Sequence, residues 1–126
     1  MFNALAVLVG GGLGSLARFG VGLAVQACLG GPSLWGSLAV TVSGCFLMGL
    51  LAGLTPDLAQ SAQARARLIF GVGVLGGFTT FSAFGLETYT LLEQRQVVAA
   101  AGNLLANTVL GLAAIGAGML VGRSLG

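Results

Sequence analysis

Apolar residues fill four long runs of the chain, and polar residues mark the short gaps between them. The runs extend from about Ala4 to Leu29, Leu34 to Leu54, Leu68 to Leu92 and Val97 to Val121. Each is as long as the roughly 20 mostly apolar residues that a helix needs to cross a bilayer. Gly30-Gly31-Pro32-Ser33 reads as the first turn. Trp35 then opens the second run at the depth that indole rings prefer. Thr55-Pro56-Asp57 closes that run, and residues 57–67, with Asp57, Gln60, Gln63, Arg65 and Arg67, form the most polar stretch. This stretch predicts a loop or an interfacial helix. Glu93-Gln94-Arg95-Gln96 is the last loop, and Arg123 follows the fourth run. The pattern predicts an all-α membrane protein, with residues 1–126 forming one domain of four transmembrane helices.

Composition removes the alternatives. Hydrophobic residues make up 56%, charged residues 6%, and mean hydropathy is +1.02, whereas soluble domains carry about 25% charge. Four spans take up about 80 to 100 residues, which leaves no room for a soluble domain. The 23 glycines lie mostly inside the apolar runs, where a missing side chain lets helix backbones approach. The net charge of +2 comes from five arginines set against Asp57, Glu87 and Glu93. There is no basic patch, so a nucleic-acid partner is excluded. An enzyme is excluded by inventory: there is no histidine and no close pair of intramembrane acids. The Gly10–Gly14 cluster also lacks the strand and third glycine of a dinucleotide fold. Cys28 and Cys45 lack CxxC or ligand-like spacing and read as small packing residues. Met1-Phe2-Asn3 has no basic n-region, so the first run is expected to remain as a helix. Arg65, Arg67 and Arg123 fall on the side of the termini and Arg95 on the other. That bias leans towards cytoplasmic termini, and it equally fits a chain inserted in both orientations.

The third run is the informative one. Gly76 and Gly77, then Thr79, Thr80 and Ser82, stand where an uninterrupted helix would carry leucines. Irregular backbone at membrane depth survives only when buried in protein or lining a watery cavity, and broken helices there are a recurring way to bind ions. The plainer alternative is a continuous helix. Gly73 and Gly77 would then pack at GxxxG spacing, and the hydroxyls would bond to their own backbone. Phe81 and Phe84 share a helix face. They are lipid or core contacts, or else ring edges whose positive rim accepts a partly dehydrated anion. Glu87 is either an interfacial acid or a functional intramembrane one. Arg18 can snorkel, pair with Glu87 or draw anions towards a pore mouth. Asn103, Asn107 and Thr108 form a polar strip on the fourth helix, which serves either interhelical hydrogen bonds or a pore lining.

These residues resemble a known family. Gly76-Gly77-Phe78-Thr79-Thr80-Phe81-Ser82-Ala83-Phe84 followed by Glu87 is similar to the GGxTTFSTF...E signature of the Fluc/CrcB fluoride channels. Gly11-Gly12-Leu13-Gly14-Ser15-Leu16-Ala17-Arg18 also resembles the family, and Gly36–Gly44 resembles its GTLxVNxxG segment. The likeness runs the length of the chain.

The resemblance implies an antiparallel homodimer of dual topology in the cell membrane, which lets fluoride leave the cytoplasm passively along pathways at the dimer interface. It implies a structural sodium ion (Na+) at the dimer centre, held by the carbonyls of Gly76 and Thr79. Phe81 and Phe84 become the ring-edge box for fluoride. Thr80, Ser82 and Thr41 supply polar groups along the pathway, Asn107 of the fourth-helix strip is placed with them on its own pattern, and Arg18 and Glu87 are vestibule or structural charges. Three positions depart from the pattern. Thr41 stands where the family has asparagine, and Ser37 and Ala83 stand where threonine is common. A hydroxyl offers one donor where an amide offers two, so conductance is the property Thr41 bears on. Fluoride is small and strongly hydrated, and its channel must replace lost water with donors. Four helices are too few to enclose a pore alone, and an interface between two copies answers that.

Two other functions compete. Small proton-coupled cation and multidrug exporters share this size and span count, but they need an acid in the first span, where this chain has Arg18. In a non-transporting assembly subunit, the phenylalanines beside the break would be incidental.

Overall fold

The computed structural model describes residues 1–31 and 34–126. Pro32 and Ser33 of the first predicted turn lie outside the described residues. The four apolar runs form four helical spans long and apolar enough to cross a membrane, and no strand is present among the described residues. The first span is α1 (Phe2–Leu29) and the second α2 (Leu34–Leu54). The third is composite: α3 (Gln60–Ala66), a π-helical segment (Arg67–Leu75), α4 (Gly76–Phe78) and α5 (Phe81–Glu93). The fourth is α6 (Val97–Leu125). Gly30 ends α1 in the left-handed conformation (φ 57°), donating its N–H to the Gln26 carbonyl.

The polar stretch before the third span resolves as a helix that runs straight into the membrane span. Ala62, Ala64 and Ala66 are strong helix formers. The Arg67 N–H bonds back to Gln63 and Ala64, which carries the helix past the predicted start at Leu68. The fourth helix likewise continues past Val121 to Leu125, bringing Arg123 into its last turn. There a cation is favoured by the helix dipole.

Glycines decide how the spans meet. A Cβ at Gly49 would collide with the Ile115 carbonyl, and one at Gly118 with the Phe46 carbonyl. The backbones of α2 and α6 are therefore in direct contact. A Cβ at Gly14 would strike the Val74 carbonyl, and one at Gly77 the Gly11 carbonyl, so α1 lies equally close to the π-helical segment and α4. In a bilayer this close packing replaces the hydrophobic drive that holds soluble helices together. Few large side chains are enclosed. Val40, Leu75, Phe78, Phe84 and Leu91 are buried, while most other large apolar groups point outward.

The π-helical segment has no counterpart in the sequence reading. At its end the Gly76 N–H reaches the Gly71 carbonyl, five residues back. The break that follows is narrower than the predicted Gly76–Ser82. Gly76, Gly77 and Phe78 stay helical, Ser82 already belongs to α5, and only Thr79 (ψ 149°) and Thr80 (φ −149°, ψ 133°) are extended. Both expectations for this region hold in part: Gly77 is a packing glycine, and the helix does break. β-Branched threonines suit extended backbone. Gly44 of α2 leaves the room that Thr79 needs, since a Cβ there would overlap the Thr79 methyl.

Candidate functional site

The break frees backbone oxygens. The last bond of the helical ladder runs from the Thr79 N–H to the Leu75 carbonyl at 2.9 Å, and the Thr79 hydroxyl donates to the same oxygen at 3.0 Å. Beyond it, among the described residues, the Thr80 N–H does not reach the Gly76 carbonyl, and the Thr79 carbonyl accepts no backbone N–H. Gly77 O takes a 3.4 Å bond from the Ser15 hydroxyl of α1. Unwound carbonyls at membrane depth are oxygen donors suited to a hard cation. No cluster of three His, Cys, Asp or Glu residues is present among the described residues, so any cation here would rest on such oxygens.

Immediately after the break, α5 sets Phe81 against Phe84 in an edge-to-face pair, with centroids 5.3 Å apart and planes at 71°. The two rings differ in surroundings: Phe84 is 8% exposed and Phe81 is 79% exposed. One ring therefore belongs to the core and the other projects from the chain. Thr80 and Ser82 pair their hydroxyls at 2.8 Å beside the rings.

A cleft of about 380 Å³ lies between α2, the break, α5 and α6. Thr41, Thr79, Thr80, Phe81, Phe84 and Asn107 all line it. The sequence-predicted residues thus converge from three spans. Ser82 reaches the cleft only through Thr80, and Gly76 sits just before the break on the exposed side of its helix. Thr108 of the predicted polar strip lines the cleft as well, and so does Cys45, which the sequence reading took only as a packing residue.

Arg18 and Glu87 share a second cleft of about 340 Å³, bounded by α1, α2 and α5, and Thr80 borders both clefts. Glu87 does not pair with Arg18. Its Oε1 accepts a 2.7 Å bond from the Ser37 hydroxyl, and its Oε2 is buried without a hydrogen-bond partner among the described residues. Ser37 entered the sequence reading only as a replacement for threonine, and its spacing from Glu87 of 50 residues carries no local signal.

The polar strip of α6 divides. Asn103 Nδ2 crosses to the Thr88 hydroxyl of α5 at 3.0 Å, which makes it an interhelical tie. Asn107 is 6% exposed and lines the larger cleft. Its Nδ2 donates to Asn103 O at 2.9 Å and Asn103 Oδ1 at 3.0 Å.

Residues 5–119 match the family described as "CrcB-like protein, Camphor Resistance (CrcB)". The chain is 46% identical over 121 residues to the fluoride-specific ion channel FluC of Paracoccus denitrificans, covering 96% of this chain and 94% of that protein. It is 43% identical over 125 residues to FluC of Rhizobium leguminosarum bv. trifolii, covering 99% of each. FluC of Caulobacter sp. is 42% identical over 125 residues, covering 99% of this chain and 98% of that protein.

Proposed function

The chain belongs to the CrcB-like family, and from that membership we propose that it is a fluoride-selective channel through which fluoride leaves the cell passively. It is a multi-pass membrane protein and works as a channel, not an enzyme. The relatives that carry the name fluoride-specific ion channel match it over nearly the whole chain. The observation that carries the reading is the Phe81–Phe84 pair at the mouth of the break. An aromatic edge is electropositive, so rings met edge-on receive an anion without a fixed cation that would hold it too tightly. Thr41, Thr80 and Asn107 line the same cleft and offer the hydrogen-bonding groups that replace hydration.

The working unit is an antiparallel homodimer. Phe81 projects with 79% of its surface uncovered, beside a cleft open on one side. A second copy would cover the ring and complete the pathway wall. The small arginine bias fits a chain that inserts in both directions. At the centre, the carbonyls of Gly76 and Thr79 from both copies would hold a sodium ion. The residues present fit that ion, because among the described residues the Thr79 oxygen accepts no backbone N–H and the Gly76 oxygen none from Thr80, and one copy alone supplies too few for a full shell. When bound, the ion supplies a fixed positive charge between the two anion paths. Arg18 and Glu87, in the second cleft, serve as vestibule or structural charges.

Reconstitution into liposomes loaded with fluoride or chloride tests the reading. Fast fluoride efflux with chloride retained is the expected result, and equal rates for the two anions would refute selectivity.

A further inference from the structure

One buried polar atom of a residue that lines the larger cleft has no role so far. Among the described residues Asn107 Oδ1 is buried and meets no hydrogen-bond donor, although Asn107 lines the cleft. The other end of the same amide is fully engaged: Nδ2 donates to Asn103 O and Asn103 Oδ1. Asn103 Nδ2 donates onward to Thr88 Oγ1 at 3.0 Å, and Thr88 Oγ1 donates to Phe84 O at 2.9 Å. Every donor in this relay points away from Asn107 and towards the backbone of Phe84. The free end of Asn107 is an acceptor, which is the wrong polarity for an anion.

The relay can run the other way. If both amides turn over, Asn103 Nδ2 donates to Asn107 Oδ1, and Thr88 donates to Asn103 Oδ1. The orphaned oxygen then gains a donor, and the Asn107 N–H groups are freed. The reversed arrangement gives up the bond to the Asn103 backbone carbonyl and, because a hydroxyl has one proton, the bond from Thr88 to Phe84 O, and it sets two oxygens near each other. It is therefore the minor state until something negative accepts the freed N–H groups. A ligand shifts such an equilibrium only by binding one state better, and an anion binds only the reversed one.

We propose that Asn107 is a switchable fluoride donor, its amide turned over by the arriving anion, with Asn103 and Thr88 acting as positioning residues that reverse with it. This rests on the fluoride-channel reading and adds residues that do not line the cleft. A resting acceptor also disfavours empty-pathway entry by larger, weaker hydrogen-bond acceptors such as chloride, which repay the reversal less.

The chain has three asparagines, Asn3, Asn103 and Asn107, so ¹⁵N-asparagine labelling resolves the relay directly. Sodium fluoride, but not sodium chloride, is expected to move the side-chain amide signals of Asn107 and Asn103 and leave Asn3 in place. Asn103→Asp keeps the shape and both acceptor positions but has no N–H to donate, so it locks Asn107 in the resting state. Its fluoride flux is expected to fall at least ~tenfold with unchanged elution, and its Asn107 amide signals are expected to stop responding to sodium fluoride, whereas an Asn103 that acts only through structure or through the added charge leaves that amide response in place. Wild-type flux in Asn103→Asp, an Asn107 amide response that persists in that variant, or wild-type Asn107 amide signals indifferent to fluoride overturns the relay. The two readings fail separately. Efflux without amide movement removes the relay alone, and amide movement without efflux removes the channel reading alone. If Asn103→Asp does not fold, the wild-type spectra decide.

Discussion

Ser37 on α2 donates a 2.7 Å hydrogen bond to Glu87 on α5, joining the second helix to the half of the third span that lies beyond the break. The bond satisfies one carboxylate oxygen and leaves Oε2 buried without a partner among the described residues. Ser37→Ala would leave the whole carboxyl group without a donor. A destabilisation of about 1–3 kcal/mol follows for a half-buried group of this kind. It would appear as a lower melting temperature in detergent, and Ser37→Thr is expected to restore the wild-type value.

Gly14 and Gly12 are two residues apart on α1 and face different neighbours. A Cβ at Gly14 overlaps the Val74 carbonyl, and backbone cannot yield as a side chain can, while Gly12 has nothing within 4 Å. Gly14→Ala should force α1 off the π-helical segment at a cost of about 1–3 kcal/mol. Gly12→Ala should be neutral or slightly stabilising, because alanine is the better helix former. Thermal unfolding of the two variants side by side checks the contrast.

Phe81 and Phe84 are expected to fail differently when changed to isoleucine. Both lose the ring edge, and each loss of about 1.4 kcal/mol in barrier stabilisation is a tenfold fall in fluoride efflux. Phe84 is enclosed within the chain and Phe81 is exposed on it. Phe84→Ile should therefore also lower the melting temperature of the protein, whereas Phe81→Ile should spare it. Efflux and melting measured on the same preparations separate the two effects.

Thr41 and Asn107 face one cleft from α2 and α6. Thr41→Asn adds a second donor to that wall. A net hydrogen bond is worth about 0.5–1.5 kcal/mol, so fluoride efflux should rise about two- to tenfold. An unchanged or lower rate would show that other groups already compensate for the threonine.

The free carbonyls of the break predict a response to sodium. A cation that binds the folded protein and not the unfolded chain raises stability with its concentration. Replacing sodium by N-methylglucamine should lower both the melting temperature and fluoride efflux, and restoring sodium should recover both.

Much of this protein is legible along the chain because the bilayer imposes strong local requirements. Four apolar runs of spanning length, with Arg95 and its neighbours between the last two, determine the number and order of the helices. The Gly76–Phe84 run marks the break and the aromatic pair, since hydroxyls and adjacent glycines at membrane depth have few other uses. Tertiary packing decided the rest. The break narrowed to Thr79 and Thr80 because Gly77 is held against Gly11 and because Gly44 leaves space for Thr79. The π-helical turn at Gly71–Gly76 depends on backbone hydrogen-bond choice, which hydropathy does not encode. Ser37 with Glu87 and Asn103 with Thr88 are partners only because separate spans cross where they do. A membrane sequence determines which segments must leave water, while contacts between spans determine which polar groups find one another.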